Sequence, residues 1–145
     1  RVLLGSLIKS LILERKELEG KKFLGYFRLN ELKWLEEMLE TDLGVKNQRK
    51  TRPFIGFHRG DTVFICFLTT RSKSKGKRVD IKLCSKSGCP RYNFMEYSYI
   101  FYDIRRRGFY IYEFPKEYIK DKYVHCGFCK DLEFIDNLPK VDERS

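Results

Sequence analysis

The spacing of apolar positions changes along the chain. In VLLGSLIKSLIL, residues 2–13, Leu3, Leu4, Leu7, Ile8, Leu11 and Ile12 recur at helical intervals, with charged residues from Glu14 to Lys16 after them. This predicts an amphipathic helix that ends near Gly20. NELKWLEEMLETDLG predicts a second helix: Asn30 can cap its start, Leu32, Leu35, Met38 and Leu39 share one apolar face, and Gly44 stands at its C-terminal end. KKFLGYFRL, between the two, fits a short strand. From Phe54 onward the pattern becomes that of strands, with FIGF, TVFICFL, RVDIKL, YSYIFYDI and GFYIYEF separated by turn-forming residues. Pro115 to Tyr123 reads as a short helix with proline at its start, and 124–138 as a further strand and short helix. Only SKSKGK, residues 72–77, is of low complexity, and it reads as a loop.

Helices ahead of strands make this an α+β chain, and 145 residues suit one core. The expected architecture is a compact barrel-like sheet over residues 50–145, with residues 1–49 as a helical N-terminal extension packed on the same domain. The most apolar run, residues 2–13, is too short to span a membrane and contains Lys9. It also lacks the small-residue cleavage site of a signal peptide, so the expected location is cytoplasmic and no membrane partner is expected.

The stretch TRPFIGFHRGDTVFICFLTTRSKSKG, residues 51–76, carries a geometric expectation. With Gly60-Asp61 as the two central residues of a hairpin turn, glycine in the first place suits type II′. Arg59 then faces Thr62, Phe57 faces Phe64, Ile55 faces Cys66, and Arg52 falls opposite Thr69. Opposed residues of an antiparallel pair point to the same side, so a guanidinium and a hydroxyl would meet at the open end of the hairpin. An arginine can donate to two phosphate oxygens at once, and it can stabilise the charge that develops when a phosphodiester is attacked. Threonine is no base near neutrality, but it can orient a phosphate or ribose. The same residues also suit ordinary structural roles, proline at a strand start and threonine as a strand former.

Composition adds a partner class. Thirty Lys and Arg against twenty Asp and Glu give a net charge of +10, which favours an anionic partner, nucleic acid before membrane. Phe, Trp and Tyr make up 15% of the chain and concentrate after Asn93, and rings beside cations are what single-stranded nucleic acid binding uses. Candidate phosphate contacts are Arg71, Lys73, Lys75, Lys77 and Arg78 after the hairpin, and Arg105, Arg106 and Arg107 further on.

Five cysteines are present. Cys66 lies inside an apolar strand and reads as a buried small hydrophobe. Cys84 and Cys89, spaced C-x4-C, and Cys126 and Cys129, spaced C-x2-C, can supply four thiolates to a structural zinc ion, with Gly88 and Gly127 allowing tight turns. Free or buried thiols and disulfides are the other two readings of the same spacing.

RPFIGFHRGDTVFICFLTTRSKSKG resembles the core of the MazF/PemK (Kid-like) toxin family. There an Arg-Pro opens a strand, a hairpin comes next, and the second strand ends in Thr-Thr or Thr-Ser ahead of a polar loop. The order of elements over about residues 50–138 is compatible as well. The resemblance implies a small SH3-like β-barrel of five or more antiparallel strands. It implies a homodimer held in check by an antitoxin protein, and a metal-independent endoribonuclease of a toxin-antitoxin system that cleaves single-stranded RNA by attack of the ribose 2′-OH. Carried over by position, Arg52 would be the catalytic arginine and Thr69 its hydroxyl partner, with Thr70 next in line; no cofactor is needed for catalysis. His58 sits near the turn and is given no role. A non-catalytic, zinc-stabilised nucleic-acid-binding domain is the alternative. Upstream of Arg52 the chain departs from the family, whose members begin with a strand and a mobile loop.

Overall fold

The structure, a computed structural model, describes Gly5 and residues 19–47, 50–70 and 77–141. Nearly all of the first expected helix therefore lies outside the described residues. From residue 19 onward the chain is α+β: a curled antiparallel sheet that forms a half-barrel, with one longer helix. The strands of the sheet are β1 (Phe23–Arg28), β2 (Thr51–Arg59), β3 (Thr62–Thr69), β4 (Arg78–Val79), β5 (Ser98–Ile100), β8 (Tyr112–Pro115) and β9 (Tyr123–Phe128). Their order is β4-β5-β3-β2-β1-β9, and β8 shares the outer edge of β3 with β5. A separate two-stranded ribbon joins β6 (Tyr102–Asp103) to β7 (Gly108–Phe109).

The hairpin register is the one the turn chemistry predicts. Arg59 pairs with Thr62, Phe57 with Phe64, Ile55 with Cys66 and Phe54 with Phe67. Gly60 takes φ 58 at the first central position, where a side chain would be strained, and this single positive φ is the II′ pattern. Both faces of β3 are buried, which accounts for the unbroken apolar run TVFICFL. Val63, Ile65 and Phe67 enter one core with Leu32 and Leu35 of the helix, while Phe64, Cys66 and Leu68 enter a second core on the opposite face. Burial on that side pushes the Cys66 thiol up to about 12 and leaves it inert.

β1 lies between β2 and β9 and is fully part of the sheet. The core thus reaches upstream of residue 50, through β1 and the helix after it, α1 (Leu29–Leu39). Asn30 is not the cap of α1. The chain passes straight from β1 into the helix, Arg28 occupies the N-cap with extended backbone, and no side chain caps it. Nor does Gly44 end the helix, because Glu40 takes the left-handed conformation at φ 53. Leu32 and Leu35 are buried as expected, but Met38 is 43% exposed, so the apolar face is narrower than its spacing suggests.

The later strands are shorter than the aromatic runs that contain them. YSYIFYDI divides into β5 and β6, and GFYIYEF into β7 and β8. The breaks fall at Phe101 and at Tyr110–Ile111, and Asp103, the last residue of β6, is fully buried. Its carboxylate accepts from the Tyr112 hydroxyl at 2.6 Å and from the Arg106 backbone N–H and Nη1, each at 2.9 Å. Burial opposes ionisation of Asp103, yet these bonds and one from Thr41 outweigh it and hold the carboxyl below the usual range. The short helix α2 (Lys116–Ile119) begins after Pro115, and a 3-10 turn at Glu133–Asn137 closes the second core through Ile135.

Candidate functional site

Arg52 and Thr69 stand at the open end of the β2–β3 hairpin. Continuing the β2–β3 pairing past Phe54 and Phe67 sets Arg52 across from Thr69, on the face shared with α1. Arg52 is only 4% exposed. Its Nε donates to the Leu43 carbonyl at 2.8 Å, its Nη1 donates to the Leu68 carbonyl at 2.9 Å, and the guanidinium lies 4.9 Å from the centroid of Phe101. The Leu43 carbonyl is held in place from the helix. Glu36 Oε1 accepts from the backbone N–H of Leu43 at 2.8 Å and of Val45 at 3.1 Å, and so fixes the turn that delivers it. Thr69 is also buried, and Thr70 is exposed just beyond the end of β3.

The row extends beyond this pair. Thr69 is paired with Tyr99 of β5, and Tyr99 with Arg78 of β4. On the other flank Arg52 is paired with Phe27 of β1. One transverse line across the sheet therefore reads Phe27, Arg52, Thr69, Tyr99, Arg78, grading from apolar to exposed and cationic. Arg78 lies 4.3 Å from the Tyr97 ring centroid and also meets Asp80 at 3.2 Å.

The remaining basic candidates separate. Arg71, Lys73 and Lys75 lie outside the described residues. Lys77 is exposed beside Arg78. Arg105 pairs with Glu40, and Arg107 is exposed at the end of the β6–β7 ribbon with φ 58. Arg106 does not face solvent as a phosphate contact would: its side chain is 15% exposed, bound to Asp103, and donates from Nη2 to the Leu39 carbonyl at 2.8 Å. Three consecutive arginines suggested one patch, but a buried carboxylate claims the middle one.

The four paired cysteines form disulfides, Cys84 with Cys129 and Cys89 with Cys126. The segment 84–89 runs antiparallel beside β9, where the Ser85 N–H donates to the Phe128 carbonyl and the Gly88 N–H to the Cys126 carbonyl, both at 2.9 Å. This covers the outer edge of β9. Approach is so close that a Cβ on Gly127 would run into the Ser85 carbonyl, which is why glycine stands there. Among the described residues no group of three or more His, Cys, Asp or Glu side chains is arranged to hold a metal ion. The disulfide to Cys89 also anchors the turn Pro90–Tyr92, placing the Arg91 guanidinium 5.3 Å from the centroid of Tyr26.

His58 and His125 stack on Phe23, at 5.5 and 4.6 Å between centroids. Burial holds both below the ordinary imidazole value, with Lys116 and then His125 adding to the effect at His58. A surface pocket lined by Lys21, Lys22, Lys130 and Asp136 contains neither Arg52 nor Thr69. Among the described residues no helix is long and apolar enough to cross a membrane.

Tyr97 and Tyr99 were not singled out by sequence reasoning, although the alternation Tyr97, Tyr99, Phe101 carried the signal: residues two apart in a strand face one way. Compared with protein-family models, curated proteins and solved structures, the chain matches none of them.

Proposed function

We propose that the chain is a metal-independent endoribonuclease acting on single-stranded RNA, in the manner of MazF/PemK toxins. The observation that carries this is the β2–β3 register, which continued two residues past Phe54 and Phe67 sets Arg52 across from Thr69, on a row that goes on through Tyr99 to an exposed Arg78. In the reaction the ribose 2′-oxygen bonds to phosphorus and the bond from phosphorus to the 5′-oxygen breaks. The proton lost by the 2′-hydroxyl is balanced by one gained on the 5′-oxygen, and a cyclic phosphate remains. Arg52 would stabilise the added negative charge from a position fixed by two backbone carbonyls, and Thr69 would orient the phosphate or ribose. A strand before β2 and the curled antiparallel sheet agree with an SH3-like barrel. A second copy of the chain and an antitoxin would be its protein partners.

The test is incubation of purified protein with single-stranded RNA in EDTA, with end-group analysis of the products. Cyclic phosphate ends are expected, and Arg52→Lys and Thr69→Val, each checked for folding by circular dichroism, should lower the rate roughly 10²-fold or more. Cutting that persists at a 2′-deoxy position would sink the mechanism.

A second reading is favoured by the burial of Arg52. In a non-catalytic nucleic-acid-binding domain, Arg52 would serve as a brace between the α1 turn and β3, and RNA would be retained uncut. A zinc ion on reduced Cys84, Cys89, Cys126 and Cys129 would then hold the β9 edge where disulfides hold it here.

A further inference from the structure

We infer that Tyr97 and Tyr99 of the β5 segment, with Arg78 over the outer ring, form a base-stacking track that binds single-stranded RNA and leads it toward Arg52. This deepens the proposed RNA-directed function and rests on it for the identity of the ligand. The track begins in solvent and ends in the core. Tyr97 is 46% exposed, Tyr99 and Phe101 are half-buried, and Phe101 carries the Arg52 guanidinium 4.9 Å from its centroid. All three rings lie at alternate positions of one extended segment and share a face of the sheet. Phe94, 97% exposed, stands upstream of them.

Ring geometry favours splayed bases over a duplex. Tyr97 and Tyr99 meet edge to face, with centroids 5.9 Å apart and planes at 81°, so each turns its face in a different direction. Unstacked bases of a single strand can meet such rings one at a time, whereas paired bases cannot reach them. Arg78 supplies the charge. Its side chain is 55% exposed, it stacks on Tyr97, and its carboxylate partner Asp80 is 42% exposed. An exposed pair of that kind is weak, and a phosphate can take the place of Asp80. Exposed Lys77 precedes it, and the whole chain carries +10, so the occupant is an anion with aromatic faces. An acidic peptide would satisfy the charge but would leave the rings without a partner.

The test measures binding of fluorescein-labelled 2′-O-methyl oligouridine of about ten nucleotides, which resists 2′-OH attack, to the full chain by anisotropy. An abasic strand of equal length is the second probe. Tyr97→Ala and Tyr99→Ala should each weaken the base-bearing strand about 5- to 150-fold. Tyr97→Phe should keep affinity within about twofold, because a phenyl face still stacks. The abasic strand should bind weakly and be indifferent to Tyr97→Ala, while Arg78→Ala should weaken both strands and lower the salt slope by about one. Should Tyr99→Ala fail to fold, the exposed Tyr97 variants decide the matter alone. The track is overturned by equal affinity of Tyr97→Ala and the parent chain, by equal binding of abasic and base-bearing strands, by equal competition from polyglutamate, or by no binding at low salt. Parallel RNA cleavage assays separate the two proposals. Binding that depends on Tyr97 without any cutting upholds the track and removes the nuclease; cutting with binding indifferent to Tyr97 does the reverse.

Discussion

Nested disulfides make a quantitative prediction about the β9 edge. Cys84–Cys129 closes a loop with a sequence separation of 45, and Cys89–Cys126 lies inside it with a separation of 37. In the chain-entropy description either bond alone stabilises by about 4 kcal/mol. Once one bond is present, the other closes only a small loop of about eight residues, the stretches from 84 to 89 and from 126 to 129, and adds about 2.5 kcal/mol. Replacing either pair by alanine should therefore cost about 2.5 kcal/mol of chain entropy, or about 8 °C in Tm. Replacing both pairs should cost about 6.5 kcal/mol, more than twice a single pair, and comparable to the whole stability of many domains. The assay is urea unfolding without reductant, measured for both double variants and the quadruple one. The excess in the quadruple variant cancels packing losses common to the singles. Removing both bonds should also raise the m-value, because the unfolded chain becomes more extended. Thiol titration of the denatured parent should find one reactive group, Cys66, before reduction and all five cysteines after it. Strictly additive losses would refute nesting. A midpoint that ignores dithiothreitol but falls with EDTA would replace the disulfides by metal, and it would agree with a cytoplasm that keeps thiols reduced.

Buried groups supply the other expected outcomes. Tyr112→Phe removes a donor 2.6 Å from the fully buried Asp103 carboxylate, and should lower stability by about 1–3 kcal/mol in denaturant titration, with the loss shrinking in an Asp103→Asn background. His58 and His125 both have lowered pKa values in the fold, so above the ordinary imidazole value neither state is protonated and their contribution is complete. As pH falls below about 6.5 the unfolded chain takes up protons that the fold resists. Stability should thus decline between neutral and mildly acid pH, and substituting both histidines by glutamine should flatten that limb; an unchanged pH profile would show that burial does not shift them. Gly127→Ala forces a methyl against the Ser85 carbonyl and should cost about 1–3 kcal/mol, seen as a lower Tm and faster amide exchange along β9.

Local chemistry was legible where it is decided locally. Gly60-Asp61 set the turn, the turn set the register, and the register continued two residues past Phe54 and Phe67 puts Arg52 across from Thr69. The apolar run of β3 likewise read as a strand with Cys66 buried inside it. Legibility failed where a distant group decided the outcome. Asn30 has the chemistry of a cap, but β1 feeds α1 directly and leaves that position to Arg28. Met38 keeps helical spacing with Leu35, yet it is left 43% exposed, because spacing along the helix does not say how far the packing beneath it extends.

Sequence by itself determined the α+β class, the hairpin and its pairing, and the excess of cations and rings, because each depends on residues close in the chain or on their totals. Tertiary structure alone decided that Arg106 is spent on Asp103 and Tyr112, that Arg52 is buried against Leu43 and Leu68, and which cysteines meet. It also aligned Thr69, Tyr99 and Arg78 across three strands. Those outcomes depend on which strands lie side by side, and that is fixed by burying two cores at once, a condition on the whole chain that no short stretch contains.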